Sequence, residues 1–303
     1  MNFNTVKYFL QQPRRVLIGM SSKGMLKWMP DKLYLRLVSK EFLGYTLNLD
    51  EPRSFSEKVN WLKLYNRRPE YTQMVDKYAA REYIAGKIGE EYLIPLVGGP
   101  WENFGEIDFD ALPNEFVLKT THDCGGVVIC RDKSSFDIKA AEKKLCEHLK
   151  KEYFWTGREW AYKNVHPRII AEKYMGDENG VLDDYKFWCF NGYPKLCHVS
   201  TERFSEEGLK VTYFDRNWVK QDFERAGANS DKPIEKPENY ELMLEIAEKL
   251  ADGNPFIRVD LYNIKGRIYS GELTMYPGGA LTRIEPREWD YKLGSWIELP
   301  EKR

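Results

Sequence analysis

The sequence predicts an α+β fold in which antiparallel sheets pack against helices. Apolar residues recur at helical spacing up to about residue 90, and from about residue 92 onward they alternate with polar residues in short runs. Only two further helical segments, near residues 137–151 and 237–251, interrupt those runs. Strands that adjoin through hairpins favour antiparallel layers over a doubly wound parallel sheet, because each pair of parallel strands needs a crossover connection.

The N-terminal helices are predicted from caps and apolar spacing. Pro30-Asp31 opens a segment with apolar pairs at i,i+4, and either Ser54 or Ser56 caps the next helical segment. A further helix is predicted over about residues 70–87, and Gly89 can end it.

Nine runs with a period of two follow these helices. The predicted strands are 92–98, 115–121, 126–130, 168–175, 184–192, 194–202, 209–215, 256–264 and 267–273. Asn191-Gly192 and Lys265-Gly266 supply turn signals between neighbouring strands.

The last predicted hairpin carries two acids on its polar side, and its register determines where they meet. A two-residue loop would turn Asp260 toward the apolar face, which the hydrophobic pattern forbids. A three-residue loop that contains Gly266 instead places Asp260 opposite Glu272. The same register places Arg258 opposite Thr274. Carboxylates held roughly 5 Å apart repel each other unless a cation lies between them. The acids either bind a divalent cation such as Mg²⁺ or lie on a solvated sheet face with an arginine.

Length and composition indicate a soluble, globular chain. Its 303 residues are enough for two or three subdomains, and no run of about 18 apolar residues predicts a membrane span. The N-terminus also lacks the apolar core of a signal peptide. Five cysteines without a C-x-x-C pair, and only four histidines, disfavour a disulfide framework or a zinc site. Reduced thiols in a cytoplasm fit this composition best.

The charge of the chain is unevenly distributed. Residues 1–40 hold eight Lys and Arg residues against one acid, 8 − 1 = +7, while the net charge of the chain is −1. This basic segment contains interleaved apolar residues, so it fits an anionic membrane surface or an acidic polymer. It fits equally well a helical extension that packs on the acidic body of the same protein.

A glycine-bearing turn lies between the second and third predicted strands. In FVLKTTHDCGGVVIC, Gly125 and Gly126 allow the backbone to approach a ligand, Lys119 supplies a positive charge and His122 a donor. The alternative is a plain hairpin turn. The spacing matches neither a P-loop nor a dinucleotide-binding fingerprint.

A third candidate element covers residues 168–192. The strand that ends at Glu172–Met175 can offer backbone groups to an adenine edge, and Asp177 or Glu178 can reach a ribose. Lys186 emerges from the next strand, either toward a phosphate or as an ordinary lysine on a sheet face.

Together these segments resemble the ATP-grasp superfamily, and most closely its TupA-like branch, which is named for a teichuronopeptide biosynthesis protein. The resemblance covers about residues 50–295. It is carried by SFSEKVNWLKLYNRR, DKYAAREYIAGKIGEEYLIPLVG, LPNEFVLKTTHDCGG, EKYM, DDYKFWCFNG and RVDLY followed by GELTMYPGG.

The resemblance implies an ATP-grasp fold, in which two α+β subdomains clasp ATP, preceded here by a helical extension. We therefore expect a basic helical N-terminal region at 1–75 and a subdomain with a mobile flap at 76–170. A subdomain that binds metal and substrate is expected at 171–303.

The resemblance also implies roles for individual residues. The implied ATP contacts are Lys119, His122, Gly125, Gly126, Glu172, Lys173, Met175, Asp184 and Lys186. The implied Mg²⁺ ligands are Asp260, Glu272 and Thr274, and the implied catalytic cations are Arg258 and Lys186. Thr274 departs from the asparagine of many ATP-grasp ligases, and His122-Asp123-Cys124 departs from the more usual His-Gly-Ser.

A glycine loop follows the metal hairpin. Gly278 and Gly279, with Arg283 and then Arg287 beyond them, form either a binding loop for an acceptor carboxylate or a turn followed by surface arginines.

The chemistry implied by the resemblance is amide formation through an acyl phosphate. The leading hypothesis is an ATP- and Mg²⁺-dependent carboxylate-amine ligase that attaches an amino acid to a uronic acid of a bacterial capsular polysaccharide. Lys, Arg and Mg²⁺ suit phosphoryl transfer, which works by positioning and charge neutralisation. The alternatives are a glycosyltransferase of polysaccharide biosynthesis and a non-catalytic ATP-binding module. We expect a cytoplasmic protein, with peripheral membrane association through residues 1–40 as an option.

Overall fold

The computed structural model describes residues 13–176, 183–201 and 208–302. The predicted ribose contacts Asp177 and Glu178 lie outside these ranges, as do residues 1–12 of the basic N-terminal region.

Helices precede and separate two β-sheets. The helices are α1 (Pro13–Ser22), α2 (Asp31–Phe42), α3 (Phe55–Tyr65), α4 (Glu70–Val75), α5 (Ala80–Ile88), α6 (Ile138–Leu149), α7 (Phe154–Gly157), α8 (Tyr240–Ala251) and α9 (Glu288–Ser295). The strands are β1 (Leu96–Trp101), β2 (Phe116–Thr120), β3 (Val127–Cys130), β4 (Ile169–Lys173), β5 (Asp183–Phe190), β6 (Tyr193–Thr201), β7 (Lys210–Asp215), β8 (Phe256–Ile264) and β9 (Arg267–Thr274). The predicted α+β class is confirmed. Eight of the nine predicted strands are present with small differences at their ends, whereas the predicted strand 92–98 overlaps β1 only at residues 96–98.

The smaller sheet has the strand order β1-β4-β2-β3, and all of its pairs are antiparallel. Alternate residues of its strands, such as Phe116 and Leu118, are buried together with Ala141 and Leu145 of α6. Burial of one face by a helix explains the alternating pattern. The glycine turn between β2 and β3 lies at one end of this sheet.

The larger sheet has the order β7-β6-β5-β8-β9, again with antiparallel pairs only. Helix α8 covers it, and α3 joins the same core, because the Phe55 ring centroid lies 5.2 Å from that of Trp188 and 4.9 Å from that of Phe256. The predicted division into 1–75, 76–170 and 171–303 stays a prediction. Strand β4 spans its second boundary.

Helix α3 begins after Ser54, the first of the two serines that were predicted as its cap. The Ser54 side chain accepts from the backbone N–H of Glu57, and the Glu57 carboxylate accepts from the Ser54 N–H at 3.0 Å. This reciprocal capping box satisfies two N–H groups that a helix start leaves without partners.

The predicted helix over 70–87 is wrong, since the structure divides it into α4 and α5. Asp76 causes the break: its Oδ1 accepts from the backbone N–H groups of Tyr78 at 2.8 Å and Ala79 at 3.2 Å. Local bonds of this kind compete with the helix ladder. The Lys77 N–H donates to the carbonyl of Thr121 at 3.1 Å, which ties the break to the glycine turn.

The β8–β9 hairpin has the predicted register but not the predicted loop. Asp260 pairs with Glu272 and Arg258 with Thr274. The loop has two residues, not three, because Ile264 pairs with Arg267 and both turn residues have positive φ, 52° at Lys265 and 82° at Gly266. A β-bulge that contains Gly271 supplies the extra residue and restores the acids to one face.

Helices α1 and α2 form a small core of their own. Leu35 and Val38 of α2 are fully buried there, with Leu26 and Leu47 from the flanking segments. Several basic side chains of this region pair with acids of the chain, including Arg36 with Asp50 at 2.6 Å. No helix in the described part of the chain is both long and apolar enough to cross a membrane.

Helix α9 lies against the start of α3. Asp290 is buried, and its Oδ1 accepts from the backbone N–H of Ser56 at 2.9 Å and from the Ser56 hydroxyl at 3.1 Å. A methyl group added at Gly294 would lie 2.2 Å from the carbonyl oxygen of Arg53, so glycine permits this close approach.

Candidate active site

The site is built on the polar face of the central strands of the larger sheet. Arg258 and Asp260 of β8 are two residues apart and therefore point the same way. Arg258 donates from Nε to Asp260 Oδ1 at 2.6 Å and from Nη2 to Oδ2 at 2.7 Å. Asp260 is buried and Arg258 is half-buried, and the two parallel hydrogen bonds fix the orientation of both side chains.

Strand β5 adds a second cation to this pair. Lys186 is directly opposite Asp260, and its Nζ lies 3.0 Å from Asp260 Oδ2. It also forms an ion pair with Asp184. Burial alone would lower the pKa of Lys186, but the adjacent carboxylates outweigh burial and raise it. Burial likewise favours a raised pKa for Asp260, yet Arg258 and Lys186 keep it low. Arg258 and Lys186, the two predicted catalytic cations, are therefore both charged, and both contact Asp260.

Glu272 and Thr274 of β9 complete the predicted metal group. The Thr274 hydroxyl accepts from Arg258 Nη2 at 3.0 Å. Glu272 is half-buried, and among the described residues its carboxylate has no hydrogen-bond or ion-pair partner. The structure thus brings Asp260, Glu272 and Thr274 together and leaves Glu272 without a cation.

The donor set fits Mg²⁺ rather than a protein-enclosed metal. No group of three or more His, Cys, Asp and Glu side chains that could hold a metal ion occurs in residues 13–176, 183–201 and 208–302. Mg²⁺ needs no such group, because it is usually held by one or two carboxylates together with substrate phosphates and water. Glu272 is the available carboxylate, and Asp260 is the second one opposite it.

The smaller sheet contributes Lys119 and Glu172, which form an ion pair at 2.5 Å between β2 and β4. Arg81 of α5 lies 3.9 Å from the other Glu172 oxygen. Glu172 is buried, so two cations surround one carboxylate. A phosphate group has the charge to compete for these cations.

The predicted adenine hinge is only partly available. The backbone N–H of Lys173 donates to the carbonyl of Pro95 at 2.9 Å, and the Lys173 side chain is exposed. Met175 is half-buried two residues later. The hinge contacts predicted for Glu172–Met175 stay a prediction.

The glycine turn is held firmly at its base. Asp123 forms hydrogen bonds with Thr120 and His148, and its carbonyl accepts from Lys77 Nζ at 2.5 Å. His122 is buried, and its Nε2 lies 3.2 Å from the carbonyl of Lys151, so this side chain packs inside the turn. Its Nδ1 is buried without a hydrogen-bond partner among the described residues, and the predicted role of His122 as a ligand donor stays a prediction.

The two glycines of this turn serve different purposes. Gly125 is exposed at φ 95°, in the left-handed region that favours glycine. Gly126 is buried, and a methyl group there would lie 1.8 Å from Thr120 Oγ1. Gly126 thus permits tight packing of the turn, while the exposed part that can meet a ligand is Cys124-Gly125.

The Pro277–Ala280 loop is anchored from beneath by two buried cations. Arg225 Nη2 donates to the carbonyl of Pro277 at 2.6 Å, and Lys63 Nζ donates to the carbonyl of Gly279. Gly278 and Gly279 have φ of 57° and 60°. This support fixes the shape of the loop that was predicted to bind substrate.

Arg283 does not join that loop through its guanidinium. Its Nε donates to the carbonyl of Phe42 at 3.0 Å, at the end of α2, and its side chain is exposed. Arg287 is also exposed, and it lies over the Tyr45 ring at 4.1 Å. These contacts agree with the alternative of surface arginines after a turn.

Sequence reasoning missed three cations and one acid. Lys77 and Arg81 line one cleft together with Glu172 and Glu272. Their spacing in DKYAAR, four residues apart, was the available signal. Lys63 and Glu159 are buried beside the glycine loop, and no local pattern marked them.

Glu159 is a buried acid whose carboxylate has no hydrogen-bond or ion-pair partner among the described residues. Burial raises the pKa of Glu159 to about 7, with Lys63 opposing and Glu272 adding to the rise. Burial lowers the pKa of Lys63 to about 8. Desolvation of the Cys124 sulfur raises the pKa of its thiol, although the residue as a whole is exposed, and the charges of Glu272 and Glu159 contribute to this rise. The carboxylates of Glu159 and Glu272 are therefore within electrostatic range of each other and of the glycine turn.

The sequence model of the TupA-like ATPgrasp family matches residues 57–298. This chain belongs to the TupA-like ATP-grasp family. The predicted family and ATP-grasp fold are confirmed, and the two antiparallel sheets with their helices are those of the fold.

Solved structures show weaker resemblances to this TupA-like ATP-grasp protein. D-alanine–D-alanine ligase from Bacillus anthracis, complexed with ATP, is 16% identical at a TM-score of 0.36, and the match covers 67% of this chain and 54% of that one. The ligase of the same name from Helicobacter pylori is 15% identical at a TM-score of 0.42, covering 80% and 69%. L-amino acid ligase from Bacillus licheniformis is 14% identical at a TM-score of 0.39, covering 88% and 54%. The chain spans only about half to two thirds of the length of these proteins. No curated protein matches the chain.

Proposed function

We propose that the protein is an ATP- and Mg²⁺-dependent carboxylate-amine ligase that forms an amide through an acyl phosphate. One observation carries the proposal: Lys77 and Arg81 line a cleft together with Glu172 and the unpartnered carboxylate of Glu272. The acids at the two sides of this cleft lead to further cations, because Lys119 pairs with Glu172, and Lys186 pairs with Asp260 opposite Glu272. Such a cleft suits a triphosphate with a bound cation, because phosphoryl transfer depends on charge neutralisation and positioning.

The cations of the site form two groups, one that would bind the phosphates of ATP and one that would stabilise the transferring phosphoryl group. Lys119 and Arg81 would exchange Glu172 for phosphate oxygens, and Lys77 would add charge at the base of the glycine turn. Lys186 and Arg258 would stabilise charge on the transferring group while Asp260 keeps them oriented. Mg²⁺, held by Glu272 and Asp260 beside Thr274, would neutralise phosphate charge.

Two balanced steps give the product. An acceptor carboxylate oxygen forms a bond to the γ-phosphorus, and the bond between that phosphorus and the β–γ bridging oxygen breaks, which releases ADP. The amine nitrogen then bonds to the acyl carbon, inorganic phosphate leaves, and the surplus proton passes to solvent. No covalent bond to the protein is needed.

The acceptor we propose is a uronic acid of a bacterial capsular polysaccharide, and the amine is that of an amino acid. Support for the sugar comes from the family resemblance, and support for an acidic acceptor comes from the cations of the site. Gly278 and Gly279 are proposed as acceptor contacts, since Lys63 and Arg225 fix their loop.

Hydroxylamine trapping tests the proposal. Purified protein with ATP, Mg²⁺, hydroxylamine and uronic acids or uronate oligosaccharides should release ADP and form a hydroxamate. A thermal-shift comparison of ATP with UDP-sugars runs alongside. Stabilisation by UDP-sugars but not by ATP would favour the glycosyltransferase alternative. ATP binding with no turnover of any uronate would remove the proposed acceptor.

A further inference from the structure

Glu159 is a buried carboxylate with no bonded partner. The residue is 6% exposed, and its side chain has no hydrogen-bond or ion-pair partner among the described residues. Buried carboxylates are ordinarily paired, because desolvation of an isolated charge is costly. Its retention at this position points to a ligand that supplies the missing partner.

Lys63 cannot serve as that partner. It is fully buried, and its Nζ donates to Asn60 Oδ1 at 3.0 Å, to the carbonyl of Gly157 at 3.0 Å and to the carbonyl of Gly279. An ammonium group has three N–H donors, and these three acceptors use all of them. Lys63 therefore attracts Glu159 only through space, and the carboxylate oxygens still lack donors.

The position of Glu159 connects it to the acceptor end of the cleft. Its Oε1 lies 3.5 Å from the point where a methyl group on Gly279 would be, so the carboxylate adjoins the glycine loop. The charge of Glu272 acts on Glu159, and both charges act on Cys124 at the tip of the glycine turn. Glu272 also lines the cleft that holds Lys77, Arg81 and Glu172. Glu272 thus lines the cleft of the proposed phosphate-binding cations and lies within electrostatic range of Glu159.

We propose that Glu159 binds the ammonium group of the incoming amine substrate. The assignment rests on the proposed ligase function and adds the location of its second substrate. A primary ammonium offers three N–H donors and one positive charge, which match the two unbonded oxygens and the surplus negative charge. An anionic group in direct contact with the Glu159 carboxylate would be repelled, so the acceptor carboxylate must meet Gly278 and Gly279 on a side away from these oxygens. A divalent cation held by the Glu159 carboxylate is the competing occupant, and the tests below distinguish it from an ammonium group.

The first test measures binding without turnover. Isothermal titration of a panel of L-amino acids and alkylamines, with ATP or ADP and Mg²⁺ present, compares the natural protein with Glu159→Gln and with the control Glu115→Gln. Glu115 is exposed, so the control removes one charge far from any buried contact. We expect at least one amine to bind, and Glu159→Gln to weaken its binding by about tenfold or more. The Glu115→Gln protein should bind it normally.

The second test separates the two half-reactions. Hydroxylamine is largely neutral at pH 7.5 and needs no ammonium site, so hydroxamate formation should stay within about twofold in Glu159→Gln, while amide formation should show a KM for the amine about tenfold higher. Glu159→Asp should recover part of the loss, because it retains the charge.

Three outcomes would overturn the assignment. They are equal amine binding by the natural protein and Glu159→Gln, no amine binding by the natural protein at all, and Glu159-dependent binding of Mg²⁺ or Mn²⁺ alone. Failure of the natural protein to form hydroxamate while it still binds amines through Glu159 would instead remove the ligase proposal and leave the amine site in place. A thermal melt of each variant verifies folding before either test.

Discussion

Asp260 and Glu272 are opposite each other on β8 and β9, but their surroundings differ. Asp260 holds Arg258 and Lys186 through three close contacts, whereas Glu272 has no such partner among the described residues. Asp260 is therefore part of the folded core as well as of the site, whereas Glu272 is available for a ligand. Substitution of each should separate the two contributions.

Asp260→Asn should lower the free energy of unfolding by about 3 kcal/mol, because it removes the buried carboxylate that pairs with Arg258 and Lys186. Urea denaturation at pH 7.5 measures this change. Lys186 keeps Asp184, which limits the loss. A midpoint equal to that of the natural protein would contradict the structural part of this argument.

Glu272→Gln should leave the free energy of unfolding within about 0.5 kcal/mol, because no bonded partner is lost. Hydroxamate formation should nevertheless fall by more than about 100-fold, since even groups that only orient a metal ligand contribute about 10–100-fold. The control is the same assay on the Glu115→Gln protein. Full activity of Glu272→Gln would remove Glu272 from the metal site.

Glu159 should make stability depend on pH in a definite direction. Its folded pKa of about 7 is above the value of an exposed glutamate, so the folded state loses stability as pH rises from about 4.5 to 7 and stays at that lower level above pH 7. The Glu159→Gln protein should not show this loss of stability with rising pH, because glutamine does not titrate. The variant should be more stable than the natural protein at pH 8 by about 1–3 kcal/mol, the gain being reduced because Lys63 loses a nearby negative charge.

Urea denaturation at pH 5 and pH 8 checks this prediction. The difference between the two proteins should be larger at pH 8, and shared titrations, such as that of buried His198, cancel in the comparison. A difference that is constant between the two pH values would show that Glu159 does not titrate as its burial requires.

At the scale of elements, the β8–β9 hairpin shows how two local features set one register. The positive φ angles of Lys265 and Gly266 permit a tight turn, and the bulge at Gly271 then shifts the partner strand by one residue. Either feature alone would put an acid on the apolar face. The alternation of apolar residues predicts the final register, but it does not reveal which device achieves it.

Gly271→Ala should destabilise the protein by about 1–2 kcal/mol and reduce ligase activity. An added methyl group would lie 2.8 Å from the Tyr262 ring and 3.2 Å from the Asp260 carbonyl oxygen, so the backbone that carries the metal acid must shift. Gly266→Asn is the matched control, because asparagine tolerates a left-handed turn position and open space surrounds this residue. Thermal melts and the hydroxamate assay measure both variants. Equal effects of the two substitutions would contradict a special role for the bulge.

Elements built from local signals were predictable, and those built from distant contacts were not. The capping box at Ser54 and the turn at Asn191-Gly192 depend on neighbouring residues. The break at Asp76 combines both kinds: its Oδ1 accepts from local N–H groups, while its Oδ2 accepts from Arg168 at 2.7 Å, 92 residues away. Helical propensity over 70–87 therefore loses to a local turn that a tertiary contact supports.

At the scale of the whole molecule, the site combines residues from both sheets and from the helices before them. Motif positions such as Lys119, Asp260 and Glu272 could be predicted because the family resemblance and strand alternation mark them. Glu159 follows the short helix α7 in an aromatic stretch without period, and its importance arises from burial beside Gly279 and Glu272. Burial of a single polar residue is a property of the assembled fold, so one sequence cannot reveal it.

The N-terminal region can be tested for two interpretations, binding to a membrane surface and packing against acids of the same chain. Trp28 is 74% exposed and Met25 58%, which suits a membrane surface, whereas Lys27, Lys32 and Arg36 pair with acids of the chain. We expect the described pairs to reduce the attraction to anionic lipid, so sedimentation with vesicles of 30% phosphatidylserine at 150 mM salt should retain little protein. Strong retention that Trp28→Ser abolishes would instead support peripheral membrane association.

The contact between α9 and α3 has a consequence for how the protein is made. A ribosome synthesises the pocket around Ser56 more than two hundred residues before it synthesises Asp290, the carboxylate that fills it. Until that late segment emerges, the nascent chain must keep the start of α3 uncovered, and a chaperone that shields apolar surface would act in this interval. Nonsense mutations that remove α9 should therefore send the translated remainder to proteolysis, although every residue of the cleft would still be encoded.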